Sequence, residues 1–520
     1  MGDVTGRKQL TRNVVVAWGM QLFVLVVGFL VPRKINDSLG ADLLGIWDLG
    51  WATVNYLSVM NLGVGTAVMR YGSKYRAQGD IESFSKVYTA STVWQLAVSV
   101  LTGLVATIFA FTVHLWIEIP ATISLIHAEL ALLMLGLSLS VNVLSNSAAG
   151  VLAAHHRWDV TQSINAINAT AQGIAVLGVL ILGGGLVWMA ASVLTIATCT
   201  TATRFIFATI LVKDVRIAAK YWDAKVAFSM LSFGSKTVVG LIPQIILFQS
   251  TAMLLTAFAG PAALAMYNRG VALVRQVSSA VKRVAIMFLP ISGSLVGLDR
   301  KEEAVDLIVQ SGRYGAAVTI PLAVMFICFG DLILLLWMGE GYDNQLMISL
   351  LAIGMCLASS MSPVYSVLAG LNAHGKISIY NFFLSVVALV VVATVISIYF
   401  TWNMNSAAAL VAICWPIGNG IVIPLYVQHR FNISVFTFAS KTLIIALLCS
   451  TPAIVLFPVG RYFYVCNGSF LLLVSSVVLA GLIQAVFYYK WILSDFGREQ
   501  ARKIFFSLLK KSGLNKVRRS

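Results

Sequence analysis

The sequence predicts an all-α membrane protein that crosses the bilayer about 14 times. Hydrophobic residues make up 59% of its 520 residues and charged residues only 11%, whereas soluble domains are about 25% charged. Apolar runs of about 20 residues, the length that a helix needs to cross a bilayer, recur along the chain. Basic residues gather in alternate gaps between these runs. Together these observations exclude an ordinary soluble fold.

Each apolar run is interpreted as a helix, because only helices and closed barrels satisfy the backbone in lipid. The runs are too long for the strands of a membrane barrel. The predicted spans are Asn13–Val31, Leu43–Val68, Tyr88–Val113, Ile123–Leu152, Ile164–Leu182, Leu186–Val212, Phe228–Phe258, Leu264–Phe288, Tyr314–Met338, Leu346–Leu371, Ile379–Thr401, Ala407–Val427, Thr442–Val459 and Phe470–Trp491.

The distribution of Lys and Arg predicts that both termini are cytoplasmic. With the N-terminus inside, 29 of the 36 basic residues fall in cytoplasmic segments or at the cytoplasmic ends of spans, and only Arg33, Lys34 and Arg461 fall outside. Such a bias follows the positive-inside rule. The net charge of +16 is therefore attributed to topology. Because no basic patch alternates with aromatic residues on a soluble domain, no nucleic-acid partner is predicted.

An internal repeat divides the chain. Gly40 and Trp47 begin a motif that returns with Gly260 and Tyr267, 220 residues later. A parallel repeat of this kind predicts two pseudo-symmetric lobes of six helices that rock against each other. The predicted divisions are an N-lobe at 1–219, a C-lobe at 220–435, two further helices at 436–492 and a basic amphipathic tail at 493–520 that lies on anionic membrane lipid.

Motifs for catalysis, metals or cofactors are missing from the sequence. The six cysteines include no CxxC pair, and five of them lie in apolar runs, where they are interpreted as small buried hydrophobes. The segment from Gly234 to Thr237 lacks the upstream glycine of a P-loop. We therefore predict no catalytic residue, no metal, no cofactor and no enzymatic activity.

Five segments carry a resemblance to a known family: Leu39–Trp47, Asn61–Gly65, Ala265–Asn268, Phe288–Pro290 and Gly339–Tyr342. They resemble Wzx-type polysaccharide flippases of the multidrug/oligosaccharidyl-lipid/polysaccharide (MOP) superfamily. The resemblance implies a two-lobed transporter in the bacterial inner membrane. It also implies a substrate of undecaprenyl-pyrophosphate bearing an oligosaccharide repeat unit, such as that of O-antigen, and other polysaccharide assembly proteins as partners.

One departure from the family concerns coupling to an ion. The family often carries an acidic residue near the middle of the seventh helix, where this chain has Phe248, Gln249, Ser250 and Thr251. Coupling to protons or to sodium ions therefore stays open.

Arginines in or beside apolar runs are the candidate pyrophosphate ligands. Arg275 and Arg269 lie in the eighth run and Arg204 lies in the sixth, while Arg70 and Arg33 lie at the inner and outer mouths. Arginine grips phosphate with two parallel hydrogen bonds, and a charge inside a membrane is costly unless it faces a cavity or a partner. The alternatives are interhelical ion pairs, side chains that snorkel to the interface, and ordinary loop charge.

Two acidic residues are candidates for gating or coupling. Asp48 aligns in the repeat with Asn268, beside Arg269, so we expect an Asp48–Arg269 pair that closes the outer side between the lobes. The alternative is a hydrated carboxylate at a helix end. Glu129, in the fourth run, is a candidate proton site.

Neutral polar residues at helical spacing are the candidate sugar ligands. They are Asn142, Asn146, Asn165, Asn168 and Gln172. The same stripes could serve as contacts between helices.

Three rival functions remain open. A lipid II flippase and a MATE-like multidrug exporter belong to the same superfamily, although the basic runs favour an anionic substrate. A membrane polymerase or ligase would need a sizeable external loop for its catalytic groups, and the external loops here are short.

Overall fold

The computed structural model describes residues 26–492, apart from 62, 121–122, 156, 239–241, 286–287, 298–299, 372 and 469, and also residue 498. Every regular element in these residues is helical. The helix that contains residues 26–39 includes only the end of the predicted first span. The rest of that span, and the predicted tail apart from Arg498, lie outside the described residues.

The chain divides into two compact units, Met1–Arg269 with Ala393–Ala407, and Gly270–Val392 with Ala408–Ser520. The division of the sequence into repeats at 219/220 stays a prediction. Helices of the first unit, up to the shared helix α9, are α1 (Ala41–Leu57), α2 (Val64–Gln78), α3 (Ile81–Thr112), α4 (Leu125–Leu144), α5 (Asn146–Ala154), α6 (Trp158–Ile181), α7 (Leu186–Leu211), α8 (Ala224–Val238) and α9 (Ile242–Ala285).

The remaining helices lie in the second unit, except that the end of α14 and the start of α15 belong to the first. They are α10 (Phe288–Gly297), α11 (Lys301–Met338), α12 (Gln345–Ser360), α13 (Ser362–Gly370), α14 (His374–Tyr399), α15 (Met404–Pro416), α16 (Val422–Phe431), α17 (Val435–Ala439), α18 (Ile445–Cys449), α19 (Thr451–Asn467) and α20 (Phe470–Phe487). Segments 417–421, 440–444 and 488–492 are π-helical.

The protein is a multi-pass membrane protein. Ten spans among the described residues are long and apolar enough to cross a bilayer, or eleven if the segments Val435–Cys449 and Thr451–Asn467, bent by 40°, form one span. The predicted span Leu43–Val68 is interrupted after α1, where residues 58–61 form a 3-10 helix. The predicted spans Phe228–Phe258 and Leu264–Phe288 lie on either side of Gly260, where the helical stretch α9 is kinked.

Two glycines of the sequence repeat share a rare backbone conformation. Gly40 precedes α1 with φ 87° and ψ 168°, and Gly260 interrupts α9 with φ 83° and ψ 169°. Only glycine adopts this region without strain. The chain therefore breaks its helix at Gly260, before Pro261, so that residues 261–285 start a new helical segment as α1 does after Gly40.

Helices are also broken at matching places in the two units. Ser145 separates α4 from α5 with φ −75° and ψ −8°, and Met361 separates α12 from α13 with φ −86° and ψ −4°. In each unit a span of two helices therefore replaces one straight helix. The break exposes backbone and side-chain polar groups that a continuous helix would cover.

Candidate functional site

A buried ion pair joins Asp48 on α1 to Arg269 on α9 within the first unit. The Nη2 atom of Arg269 donates to both carboxylate oxygens of Asp48, at 2.6 and 2.5 Å. The side chains are only 7% and 10% exposed. The structure thus places the two residues in contact, whereas the proposed gating role stays a prediction.

Close packing of α1 against α9 explains why these two charges meet. A Cβ atom on Gly45 would lie 1.9 Å from the carbonyl oxygen of Pro261, so only glycine permits this approach. Asp48 follows Gly45 by about one helical turn and Arg269 follows Pro261 by about two turns, which brings both onto the contacting faces. Glycine and proline at the contact thus position the ion pair.

Arg204 on α7 is held by side chains from two neighbouring elements. Its Nη1 atom donates to the hydroxyl of Ser145, at the break between α4 and α5, at 2.5 Å. Its Nη2 atom donates to the Oδ1 atom of Asn165 on α6, at 2.6 Å. Among the described residues, no carboxylate forms a salt bridge with Arg204 and its buried Nε atom has no hydrogen-bond partner.

The depth of Arg204 argues against a snorkelling side chain. Arg204 precedes the end of α7 at Leu211 by seven residues, which corresponds to about 10 Å at 1.5 Å per residue. Asn165 lies at the same distance from the start of α6. Because α6 and α7 are neighbouring antiparallel helices, the hydrogen bond to Asn165 holds the guanidinium at this distance from the helix ends.

The second unit has a contact between neutral side chains. Asn381 on α14 donates to Asn419, in the π-helical segment 417–421, at 3.2 Å. These residues lie 216 and 215 positions after Asn165 and Arg204. The contact of Arg204 with Asn165 thus includes a charge that the contact of Asn381 with Asn419 does not.

Polar residues predicted to contact sugar lie close to Arg204. Asn168 on α6 accepts hydrogen bonds from Thr200 of α7 at 2.8 Å and from Gln172 at 3.3 Å. Asn142 donates to the backbone of its own helix at Ser138, at 3.0 Å. Two of the predicted residues, Asn165 and Asn168, therefore join α6 to side chains of α7, and Gln172 bonds to Asn168 within α6. Asn146 begins α5 and is half-buried.

The other predicted pyrophosphate ligands have surroundings of their own. Arg275 is exposed and belongs to the second unit, unlike Arg269. Arg33 is exposed and lies 3.6 Å from the carboxylate of Asp37. Arg70 is exposed, with its guanidinium carbon 5.8 Å from the centre of the Tyr71 ring. That these arginines contact a pyrophosphate stays a prediction.

Glu129 has a histidine partner that sequence analysis missed. The Nδ1 atom of His114, just after α3, lies 3.3 Å from the Oε1 atom of Glu129 on α4. Because α3 and α4 are consecutive helices of a hairpin, the sequence could have indicated that the residues after α3 lie beside the start of α4. Whether this pair carries a proton stays a prediction.

A second ion pair missed by the sequence analysis lies in the second unit. Arg461 on α19 donates to both oxygens of Asp331 on α11, at 3.1 and 2.5 Å. The pair is partly buried, with side-chain exposures of 27% and 11%. It attaches the additional helix α19 to the second unit.

Comparison by sequence gives no relatives. The sequence matches no protein-family model, and no curated protein matches it significantly.

Comparison by structure identifies transporters of one superfamily. An inward-facing MATE-family multidrug transporter of the MOP superfamily aligns with a TM-score of 0.68 at 13% identity, over 80% of this chain and 96% of its own. The lipid II flippase MurJ aligns with a TM-score of 0.66 at 12% identity, over 92% and 100%. A MOP superfamily transporter from Pyrococcus furiosus gives 0.58 at 12%, over 83% and 95%. The chain therefore has the fold of MOP superfamily transporters.

Proposed function

We propose that the protein is a flippase for undecaprenyl-pyrophosphate-linked oligosaccharides in the bacterial inner membrane. It moves repeat units from the cytoplasmic to the periplasmic leaflet by alternating access, for assembly of a cell-surface polysaccharide. The proposal includes fourteen spans with both termini in the cytoplasm and no enzymatic step. It rests on the MOP fold together with the basic site around Arg204.

The single observation that carries the proposal is the position of Arg204. A guanidinium inside a membrane is costly unless an anion or a cavity compensates it. Arg204 is fixed by two neutral side chains, Ser145 and Asn165, and pairs with no carboxylate among the described residues. A phosphate would supply the missing negative charge through the strong hydrogen bonds that arginine forms with phosphate oxygens.

Asparagines beside Arg204 support a glycan as the other part of the substrate. Asn165, Asn168 and Gln172 lie along one helix at a spacing of three to four residues, which aligns them on one face. Neutral amides both donate and accept hydrogen bonds, as sugar hydroxyls require. A pyrophosphate at Arg204 would thus be followed by sugars along α6.

Two related functions are the alternatives. The lipid II flippase MurJ covers a larger share of this chain than the MATE transporter does, 92% against 80%. Lipid II carries the same pyrophosphate, so Arg204 fits it too. A multidrug exporter is less well supported. Cationic drugs bind better in a neutral or acidic cavity than beside the positive charge of Arg204.

Deletion of the gene, followed by complementation, tests the proposal. We expect loss of surface polysaccharide while single lipid-linked repeat units accumulate in the cytoplasmic leaflet. Accumulation of lipid II with cell lysis would instead support the alternative flippase, and altered drug sensitivity with normal glycan would support the exporter. If single units reach the outer leaflet but remain unpolymerised, the proposal is wrong and an enzyme is indicated.

A further inference from the structure

A basic cavity lies in the second unit, at the ends of three membrane helices. It has a volume of about 1080 Å³ and is lined near the start of α11 by Arg300, at the start of α14 by Lys376 and at the end of α16 by His429 and Arg430. All four side chains are exposed. By the distribution of basic residues, this end of the helices is expected to face the cytoplasm.

The charge of this cavity is only partly compensated. Arg300 forms a salt bridge with Glu303 on the first turn of α11. Lys376 and Arg430 form no salt bridge with a described carboxylate. The cavity therefore presents at least two positive charges to a ligand that is negatively charged.

In the first unit, the segment that follows α7 lies against α3 and leaves a smaller concavity. After α7 the chain crosses α3, where the backbone N–H groups of Arg216 and Ala218 donate to the hydroxyls of Ser85 and Thr89, both at 3.3 Å. The concavity beside this segment measures about 420 Å³. In the second unit the chain turns directly from α16 into α17, so the larger cavity stays open.

Next to the cavity, the helices present an exposed apolar stripe. On α14, Tyr380, Phe383 and Val387 are 56%, 63% and 56% exposed, and their spacing places them on one face. Ile421 and Leu425, on the adjoining segment, are 49% and 54% exposed. The hydrogen bond between Asn381 and Asn419 joins the two elements, so the stripe continues from one to the other.

We propose that this cavity binds the headgroup of an anionic phospholipid of the cytoplasmic leaflet. The phosphate would contact Lys376 and Arg430, and the acyl chains would lie along the stripe of Phe383, Val387 and Leu425. Basic cavities between membrane helices at this depth suit phosphate headgroups, because the charges attract the phosphate and the adjoining surface attracts the chains. This cavity shares no residue with the site around Arg204, so the inference does not depend on the proposed function.

Native mass spectrometry of the full-length protein tests this site, with phosphatidylglycerol as the probe and phosphatidylcholine as the neutral comparison. The variant is Lys376→Gln with Arg430→Gln. Each basic residue near the surface contributes about fivefold to anionic lipid binding, so we expect the apparent affinity for phosphatidylglycerol to fall roughly 20-fold. Both residues are exposed, so the variant is expected to fold normally.

The matched control is Lys213→Gln with Lys220→Gln, which removes the same charge from the smaller concavity of the first unit. It should bind phosphatidylglycerol as the natural protein does. The charge-preserving variant Lys376→Arg with Arg430→Lys should also bind normally, which keeps the test valid if the neutral variant is unstable. An equal loss in the control, no preference over phosphatidylcholine, or displacement by equimolar glycerol 3-phosphate would each overturn the proposal.

Discussion

At the residue scale, two arginines in the first unit have opposite surroundings. Arg269 is neutralised by Asp48 in a buried pair, whereas Arg204 is bound only by neutral side chains among the described residues. Removing either partner of a buried ion pair leaves the other charge buried and uncompensated, which destabilises the fold. An arginine without a carboxylate is instead available to a negatively charged ligand. The two residues therefore have different expected phenotypes.

Replacing Arg269 by alanine should destabilise the protein, because it leaves the carboxylate of Asp48 buried and unpaired. Breaking a buried pair from one side costs about 3–5 kcal/mol. Unfolding in detergent, followed by tryptophan fluorescence, measures this loss. The double variant Asp48→Asn with Arg269→Gln should recover most of it, and Arg283→Gln on the same helix, an exposed position, should change stability little. A double variant no better than the single one would contradict the pair.

Replacing Arg204 by glutamine should reduce glycan export at least tenfold with normal protein abundance. Arg204→Lys should restore export only in part, because an ammonium group cannot form the two parallel hydrogen bonds of a guanidinium. The matched control is Asn419→Ala in the second unit, which removes the uncharged partner of Asn381 and should export normally. Export is measured as surface polysaccharide in a complemented deletion strain. Full export by the Arg204→Gln variant would mean that the cation has a structural role only.

The sequence indicated candidate residues better than it indicated the contacts that their side chains make. The repeat aligned Asp48 with Asn268 and so suggested a pair with Arg269, which the structure contains. The contacts of Arg204 with Ser145, and of Arg461 with Asp331, could not be predicted, because they depend on which faces of distant helices meet. Apolar runs of membrane helices carry little periodicity that would reveal those faces.

At the element scale, glycine determines how closely α1 approaches α9. Gly45→Ala should destabilise the protein by at least about 2 kcal/mol, because the new methyl group overlaps the backbone at Pro261. Gly178→Ala on α6 is the control, since a Cβ there meets nothing within 4 Å. That control should stay within about 1 kcal/mol of the natural protein. Equal unfolding midpoints for the two variants would show that the contact is absent.

Helix breaks were harder to predict than helices. Hydropathy located most apolar segments, and ten or eleven spans among the described residues are long and apolar enough to cross a bilayer. Hydropathy gave no sign of the breaks at Ser145 and Met361, because each residue lies within an unbroken apolar run. The dipeptide Gly260-Pro261 indicates an interruption of the helix, and the sequence analysis placed a loop between two spans at this point.

At the scale of the whole molecule, the number and direction of the spans can be tested with a natural cysteine. Cys466 is exposed near the end of α19, in the segment predicted to face the periplasm. A maleimide that does not cross membranes should label it in intact spheroplasts, and Cys466→Ser should abolish that labelling. In the Cys466→Ser background, Lys220→Cys should become labelled only after lysis. Labelling of Lys220→Cys in intact spheroplasts would contradict the predicted orientation.

The two repeats have diverged where chemistry is expected. Gly40 and Gly260 retain one backbone conformation, and Ser145 and Met361 break equivalent helices. By contrast, Arg204 contacts Asn165 in the first unit whereas Asn419 contacts Asn381 in the second, and the basic cavity of the second unit is larger than the concavity beside residues 213–221. Shared features thus maintain the fold, whereas the differences place a cation in one unit and a lipid-sized cavity in the other.

The most direct test of the central claim is a transport assay in proteoliposomes. The purified protein is reconstituted with a fluorescent undecaprenyl-pyrophosphate oligosaccharide, and dithionite then bleaches the label in the outer leaflet. We predict that the natural protein lets dithionite reach label beyond the initial outer-leaflet pool, and that Arg204→Gln slows this at least tenfold while Asn419→Ala does not. Bleaching that stops at the same level as in protein-free liposomes would contradict the proposed flippase.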